Sequence, residues 1–282
     1  MTAPTPTRTG TPYTSVAALI EAVGAARFGP DPATEQVSVA FTTRQGARHA
    51  GRVQGYRNQV LSLRVGTAVG SCAAEPGELT DDVAYDCVGR SVAELLAHPL
   101  TAVRVAALDA YLAAVRPHPH AADETVVIPA GTSLAKSTAR AAAVVELIPV
   151  TPGQTVLVVG VVNSLLEQLR RRGASYLPCD LAGGRTEWDE PCLPDATVLL
   201  ERCDALLVSG MTLGNGTFEP LLRHARLTGK PMVTFAQTGS AVLPCFLGAG
   251  LSAVSAEPYP FFWLDGGPTT VYRYRVTAGS PC

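Results

Sequence analysis

The chain has 282 residues, which at roughly 150 residues per domain suggests two domains. Apolar residues make up 47% and charged residues 16%, and the formal net charge is -2 at pH 7, so no basic excess exists to neutralise a phosphate backbone, and nucleic acid is not expected as a partner. No apolar run approaches the about 20 residues of a membrane-spanning helix, and the Thr/Pro-rich start lacks a signal-peptide core, so a cytoplasmic protein without a membrane partner is expected.

Residues 1–13 read as a flexible N-terminus. A helix is expected to begin near Thr14 or Ser15, because Val16, Leu19, Ile20 and Val23 recur with helical spacing until Gly29 and Pro30 end the pattern. Gln36–Thr43 is rich in β-branched residues, and Leu61, Leu63 and Val65 alternate with Ser62 and Arg64, as in a half-buried strand. The two can form a hairpin or meander with the segment near His49. Ser91 and Glu94 have capping-box spacing, and Val105, Leu108, Leu112 and Val115 give Thr101–Val115 one apolar helical face. Residues 14–116 thus read as an α+β domain.

Pro117, His118, Pro119 and His120 break the pattern, so 117–124 reads as a linker with solvated histidines. The remainder, 125–282, alternates as α/β folds do. Thr125–Pro129 reads as a crossing strand and Ser137–Ile148 as a helix, with Lys136 exposed in the Gly/Ser/Thr-rich loop before it; that loop is not a P-loop. Strands are expected at Thr155–Val159, Ser175–Leu177, Ala205–Val208, Met232–Phe235 and Leu251–Val254, forming a mostly parallel, Rossmann-like sheet. Thr269–Val276 reads as a late edge strand.

Three constellations carry chemistry. Gly160 follows the first parallel strand, Ser164 and Glu167 have capping-box spacing, and Asp180 ends the second strand, where acids meet ribose hydroxyls. This spacing admits a nucleotide-derived cofactor, S-adenosylmethionine or a nicotinamide nucleotide, although no GxGxxG is present. After the third strand, the loop GMTLGNGTFEP (210–220) offers Thr212, Asn215 and Thr217 between two glycines that permit positive φ, and Thr217 can cap the next helix. Gln237–Thr238–Gly239–Ser240 should lie beside it, so Thr238 and Ser240 join a polar cleft without an evident general base; the plainer alternative is a helix cap and a turn.

The third is Cys179 and Asp180 with Cys192, two thiols and a carboxylate that could bind a divalent transition metal; the alternative is an exposed acidic loop. The seven cysteines (72, 87, 179, 192, 203, 245 and 282) include no CxxC pair and should be mostly reduced, several of them buried. No GxSxG or HExxH occurs, and no partner motif places His49, His98 or His224 in a serine triad.

Val156–Gly160, Asp204–Thr217 and Gly248–Ala256, and more weakly Val65–Ala68, Gly89–Leu96 and the helix ending near Tyr111, resemble a family of unknown function with a suspected role in heavy-metal chelation. Only Thr212–Thr217 is a specific motif. The resemblance implies an enolase-N-terminal-like domain followed by a Rossmann-like domain, a ligand pocket between them, and self-association as a homo-oligomer. Val161 and Val162 depart from the polar or aromatic residues expected after Gly160. The leading expectation is a protein that binds or processes a small anionic or metal-chelate ligand, in metal homeostasis or specialised metabolism. The competing class is an enzyme of small-molecule biosynthesis using a nucleotide-derived cofactor.

Overall fold

The computed structural model describes residues 12–52, 55–80 and 82–276. The flexible start expected at 1–13 lies, up to residue 11, outside the described residues, as does Cys282.

The first half is built from α1 (Val16–Gly24), β1 (Val37–Ala47), β2 (Tyr56–Val65), β3 (Ala68–Ala74), α2 (Val83–Cys87), α3 (Val92–Leu96) and α4 (Thr101–Val115). Ser15 caps α1 by accepting from the amide of Ala18, and both halves of the Ser91–Glu94 capping box form at α3. The strands make an antiparallel meander in the order β1-β2-β3. β3 was not anticipated, because its small residues show no period-2 alternation. Its role is close approach: a Cβ on Gly70 would lie 1.9 Å from the amide nitrogen of Ala110, so only glycine lets α4 lie this near.

The second half comprises α5 (His118–Ala121), β4 (Glu124–Ile128), α6 (Ser133–Val145), β5 (Thr155–Val159), α7 (Asn163–Arg171), β6 (Ser175–Cys179), β7 (Ala205–Ser209), α8 (Phe218–Thr228), β8 (Met232–Ala236), β9 (Ala253–Ala256) and β10 (Thr269–Arg275). The sheet order is β4-β10-β9-β8-β7-β5-β6. Within it, β6-β5-β7-β8-β9 are parallel and reproduce the doubly wound order 2-1-3-4-5, whose ligand crevice lies at the carboxyl ends of the first and third strands. Strand pleating sorts the core. Val156, Val158 and Leu207 face α6 and α7 with Val144, Leu165 and Leu169, whereas Leu157, Leu206 and Val208 share a cluster with Leu221 and Leu222 of α8. The latter cluster continues into Leu61, Leu63, Leu108 and Tyr111, so a single apolar core joins the sheet to the antiparallel layer.

Several expectations are corrected. β10 is not an edge strand; it lies antiparallel between β9 and β4, and β4 forms the edge. Lys136 lies inside α6 and is buried, because α6 starts at Ser133 with Thr132 as its cap. Ser164 does not cap α7: the helix starts at Asn163, and the Ser164 hydroxyl pairs with that of Ser137 at 2.9 Å. His118 is not solvated. It is 4% exposed, its Nδ1 lies 2.6 Å from Tyr274 Oη and its Nε2 3.2 Å from Ser240 Oγ, and burial lowers its pKa to about 4. Among the described residues no helix is long and apolar enough to cross a membrane.

Candidate ligand-binding site

The loop 210–217 and the loop 237–240 lie side by side, as their neighbouring strands require: a Cβ on Gly210 would meet the carbonyl oxygen of Thr238 at 2.4 Å. Thr212, Thr238 and Ser240, however, are buried, while Asn215 and Thr217 are partly buried. Thr212 Oγ1 donates to the Ser209 carbonyl at 2.7 Å, and Asn215 Oδ1 accepts from both the amide (3.2 Å) and the hydroxyl (2.7 Å) of Thr217. Asn215 Oδ1 therefore supports the local turn before α8, and Thr217 makes no side-chain cap, contrary to the cap expected of it. Both loops rest on the antiparallel layer. A Cβ on Gly214 would lie 2.4 Å from the Ala73 carbonyl oxygen, and the Gly239 amide donates to the Ser71 carbonyl at 2.8 Å. Beside them Asp109, buried in α4, accepts from the amides of Ser71 (2.8 Å) and Ala241 (2.7 Å). Burial raises its pKa to about 7 against the pull of these amides.

At the doubly wound switch point, Gly160 has φ +84°, and a Cβ there would overlap Ser209 Cβ at 2.6 Å. Asp180 Oδ2 accepts from the Val161 amide and Oδ1 from the Ala182 amide, both at 3.1 Å, so each oxygen already holds the turn beside it. Cys179 and Cys192 sit in the same neighbourhood, Cys179 bridging to Leu193, and both are buried. Burial first, then the nearby Asp180 carboxylate, raises both thiols, Cys179 to about 11. Without a metal they are therefore protonated at neutral pH, and a metal bound there would have to displace those protons. Among the described residues no group of three or more His, Cys, Asp or Glu side chains is spaced to hold a metal.

The open cleft lies elsewhere along the carboxyl edge, where the β1–β2 hairpin reaches over the start of α6. It holds about 580 Å³ and is lined by Thr43, Arg44, Gln45, Arg48, Asn58 and Trp263, together with Tyr56, Ser133 and Leu264. Trp263 is pinned by Nε1, which donates to Gln45 Oε1 at 2.8 Å. Its loop is anchored by buried Lys136, whose Nζ donates to the carbonyl of Asp265 (3.0 Å), the carbonyl of Gly267 (2.5 Å) and Thr269 Oγ1 (3.0 Å). At the loop's start Glu257 forms a buried two-point ion pair with Arg140, at 2.8 and 3.0 Å from Nε.

A smaller cavity of about 10 Å³ adjoins the cleft, lined by His49, Arg52, Tyr56, Leu134, Asn163, Ser164 and Glu187. Tyr56 Oη accepts from the Asn163 amide at 2.9 Å, Arg52 pairs with Glu167 at 3.0 Å and with Glu187, and His49 Nδ1 lies 3.1 Å from Ser133 Oγ. His49 is 7% exposed, and burial with the charge of Arg52 lowers its pKa despite Glu187. Sequence reasoning missed this cleft because its walls come from distant segments, Gln45 and Trp263 being 218 positions apart, and no short motif joins them.

These features define a mixed α/β protein with a seven-stranded mostly parallel sheet, a separate three-stranded antiparallel sheet and a polar cleft where the two meet. Residues 143–255 match the model of the DUF364 family, described as "Putative heavy-metal chelation", which bears out the resemblance read from the sequence. Two solved structures, both of DUF364 proteins of unknown function, share the fold. The one from Desulfitobacterium hafniense is 15% identical with a TM-score of 0.59, covering 91% of this chain and 96% of that one. The one from Pyrococcus horikoshii is 14% identical with a TM-score of 0.52, covering 92% and 100%. No curated protein matches the sequence.

Proposed function

We propose that this chain binds a small organic anion, of the polycarboxylate kind that chelates metal ions, in the cleft under the β1–β2 hairpin. The observation that carries this reading is the lining: Arg44 and Arg48 stand together with Gln45, Asn58 and Ser133 at the start of α6. The volume of about 580 Å³ suits a small ligand. Two guanidinium groups favour planar oxygen anions, the α6 dipole adds to them, and the Trp263 ring offers an apolar wall. On this reading a heavy metal arrives already held by its chelator, in keeping with thiols that stay protonated at Cys179 and Cys192.

The test is calorimetric titration with citrate, alone and with equimolar Zn²⁺, against the wild type and an Arg44→Ala/Arg48→Ala variant. Saturable binding is expected, weakened on the order of 10- to 100-fold in the variant, the value of one or two charge-assisted hydrogen bonds at about 1.5–3 kcal/mol. Absence of binding by both forms of citrate, or equal binding by the variant, sinks the proposal.

A further inference from the structure

We infer that Ser133 and His49 form a nucleophile–base pair that hydrolyses esters of small organic anions held in the cleft; this rests on the anion-binding reading above. Four observations converge on it. Ser133 is exposed and lines the cleft that carries Arg44 and Arg48, so a substrate anchored by its anionic end can present a carbonyl to the hydroxyl. His49 Nδ1 lies 3.1 Å from Ser133 Oγ, within proton-transfer reach. His49 is itself buried and lines the small cavity, and burial beside Arg52 favours its neutral form, which is the form that accepts a proton. Finally, Ser133 is the first residue of the 13-residue helix α6; the Ala135 amide is taken by the Thr132 side-chain cap, which leaves the amides of Ser133 and Leu134 as the first-turn donors without a partner inside the helix, and such donors stabilise a developing oxyanion.

The step balances without a further cofactor. Ser133 Oγ attacks the ester carbonyl carbon as its proton passes to His49 Nδ1; the imidazole then carries its other proton on Nε2. The carbon–oxygen bond to the leaving alcohol breaks, and that alcohol departs with the proton from Nδ1. Water then attacks the acyl carbon as its proton passes to His49 Nδ1; the bond to Ser133 Oγ breaks, Oγ takes that proton back, and the acyl group leaves as an acid that gives its remaining proton to solvent and departs as a carboxylate. The groups facing His49 are Arg52, which lowers its pKa, Glu187, which raises it, and the Tyr56 ring, whose centroid lies 6.3 Å away.

The molecule contains a second serine–histidine contact, Ser240 with His118, which makes a useful contrast. There both side chains are buried, lie outside both cavities described, and the second imidazole nitrogen is held by Tyr274. That arrangement cements the core and leaves no room for a substrate.

The experiment uses p-nitrophenyl hydrogen succinate, a chromogenic half-ester with one carboxylate left for the arginines. The full chain is mixed with it, quenched in acid and digested, and the peptide containing Ser133 is weighed by mass spectrometry while p-nitrophenolate release is followed. One succinyl group on Ser133 is expected in the wild type and none in Ser133→Ala, whose exposed position and intact Thr132 cap keep the fold. His49→Gln should slow acylation by about 100-fold or more. In the wild type the rate should stay level at neutral pH and fall only below the ordinary imidazole value of about 6.5. No adduct on Ser133, or an acylation rate indifferent to His49→Gln and to pH across that range, overturns the inference. Titration of Ser133→Ala with unreactive succinate separates the two readings. Binding without acylation in the wild type removes the catalytic pair and keeps the anion site. Acylation that neither succinate nor Arg44→Ala/Arg48→Ala affects removes the anion site and, with it, the substrate assigned here.

Discussion

Replacing Gly214 by alanine tests whether the motif loop serves docking. Gly214 has φ -68° and ψ -42°, an ordinary helical conformation, so alanine meets no backbone strain there. By restricting the unfolded chain it should add about 0.4–1 kcal/mol of stability if the site were open. The site is closed: the new Cβ would stand 2.4 Å from the carbonyl oxygen of Ala73 and 3.1 Å from Cys72 Sγ. The carbonyl belongs to β3, paired to β2 through Ala73 opposite Val60 and pressed from the other side by α4, so it cannot retreat as a side chain would. Overpacking of this kind costs about 1–3 kcal/mol. The midpoints of the two effects leave a net loss of about 1.3 kcal/mol, which at about 2–4 °C per kcal/mol lowers Tm by about 3–5 °C. Differential scanning calorimetry measures it, with citrate titration of the same sample at a temperature where the variant is folded. A Tm equal to or above that of the wild type would refute the close packing of this loop on β3. An unchanged Tm accompanied by lost citrate binding would place the ligand at the loop instead.

Asn215→Ala removes both acceptor contacts to Thr217, and a urea melt should show a loss of about 1 kcal/mol with citrate affinity unchanged; lost affinity would make the asparagine a ligand contact. Glu257→Gln strips the charge facing buried Arg140 and should cost about 3–5 kcal/mol, while Arg140→Met with Glu257→Leu should recover most of it in the same melt; a mild effect of the single change would mean the pair is hydrated. Cys179, raised to about 11 by burial, should resist a disulfide reagent at pH 8 until the chain unfolds, since only a thiolate reacts. Because its folded pKa lies above the unfolded value, this thiol's contribution to stability is complete below pH 9 and declines as pH rises from 9 towards 11. Rapid native labelling of Cys179, or a Tm raised by added Zn²⁺ at pH 7, would refute the protonated-thiol reading.

The parts of the fold carried by local periodicity were legible. Val105, Leu108 and Leu112 mark α4 at its observed bounds, and the apolar runs of β5, β7 and β8 needed only base pairing of pattern to strand. β10 was misplaced because its alternation with arginines looks like an exposed edge. In fact Arg273 is 4% exposed and reaches Glu124 and Glu146, so its charge is compensated by residues far away in sequence. The same limit hid the cleft. A motif such as Thr212–Thr217 announces itself through composition, yet glycine and hydroxyl groups serve equally for touching a ligand and for letting one sheet lie on another; only the distance from Gly214 to Ala73 decides. His49 and Ser133 look unremarkable in sequence, since neither has a neighbour along the chain that explains it.

The position of β10 has a bearing on synthesis. Ile128 at the end of β4 pairs with Thr269, so the strand that opens the large sheet depends on one that emerges from the ribosome only after every parallel strand has been made. Until then β4 has α6 as its support, with Ile128 beside Ala143 and the place of Val271 unfilled. The parallel strands can wind up in order as they appear, but the outer margin closes last, and a nascent chain held before residue 269 carries an open sheet border along β9 that invites pairing with other chains.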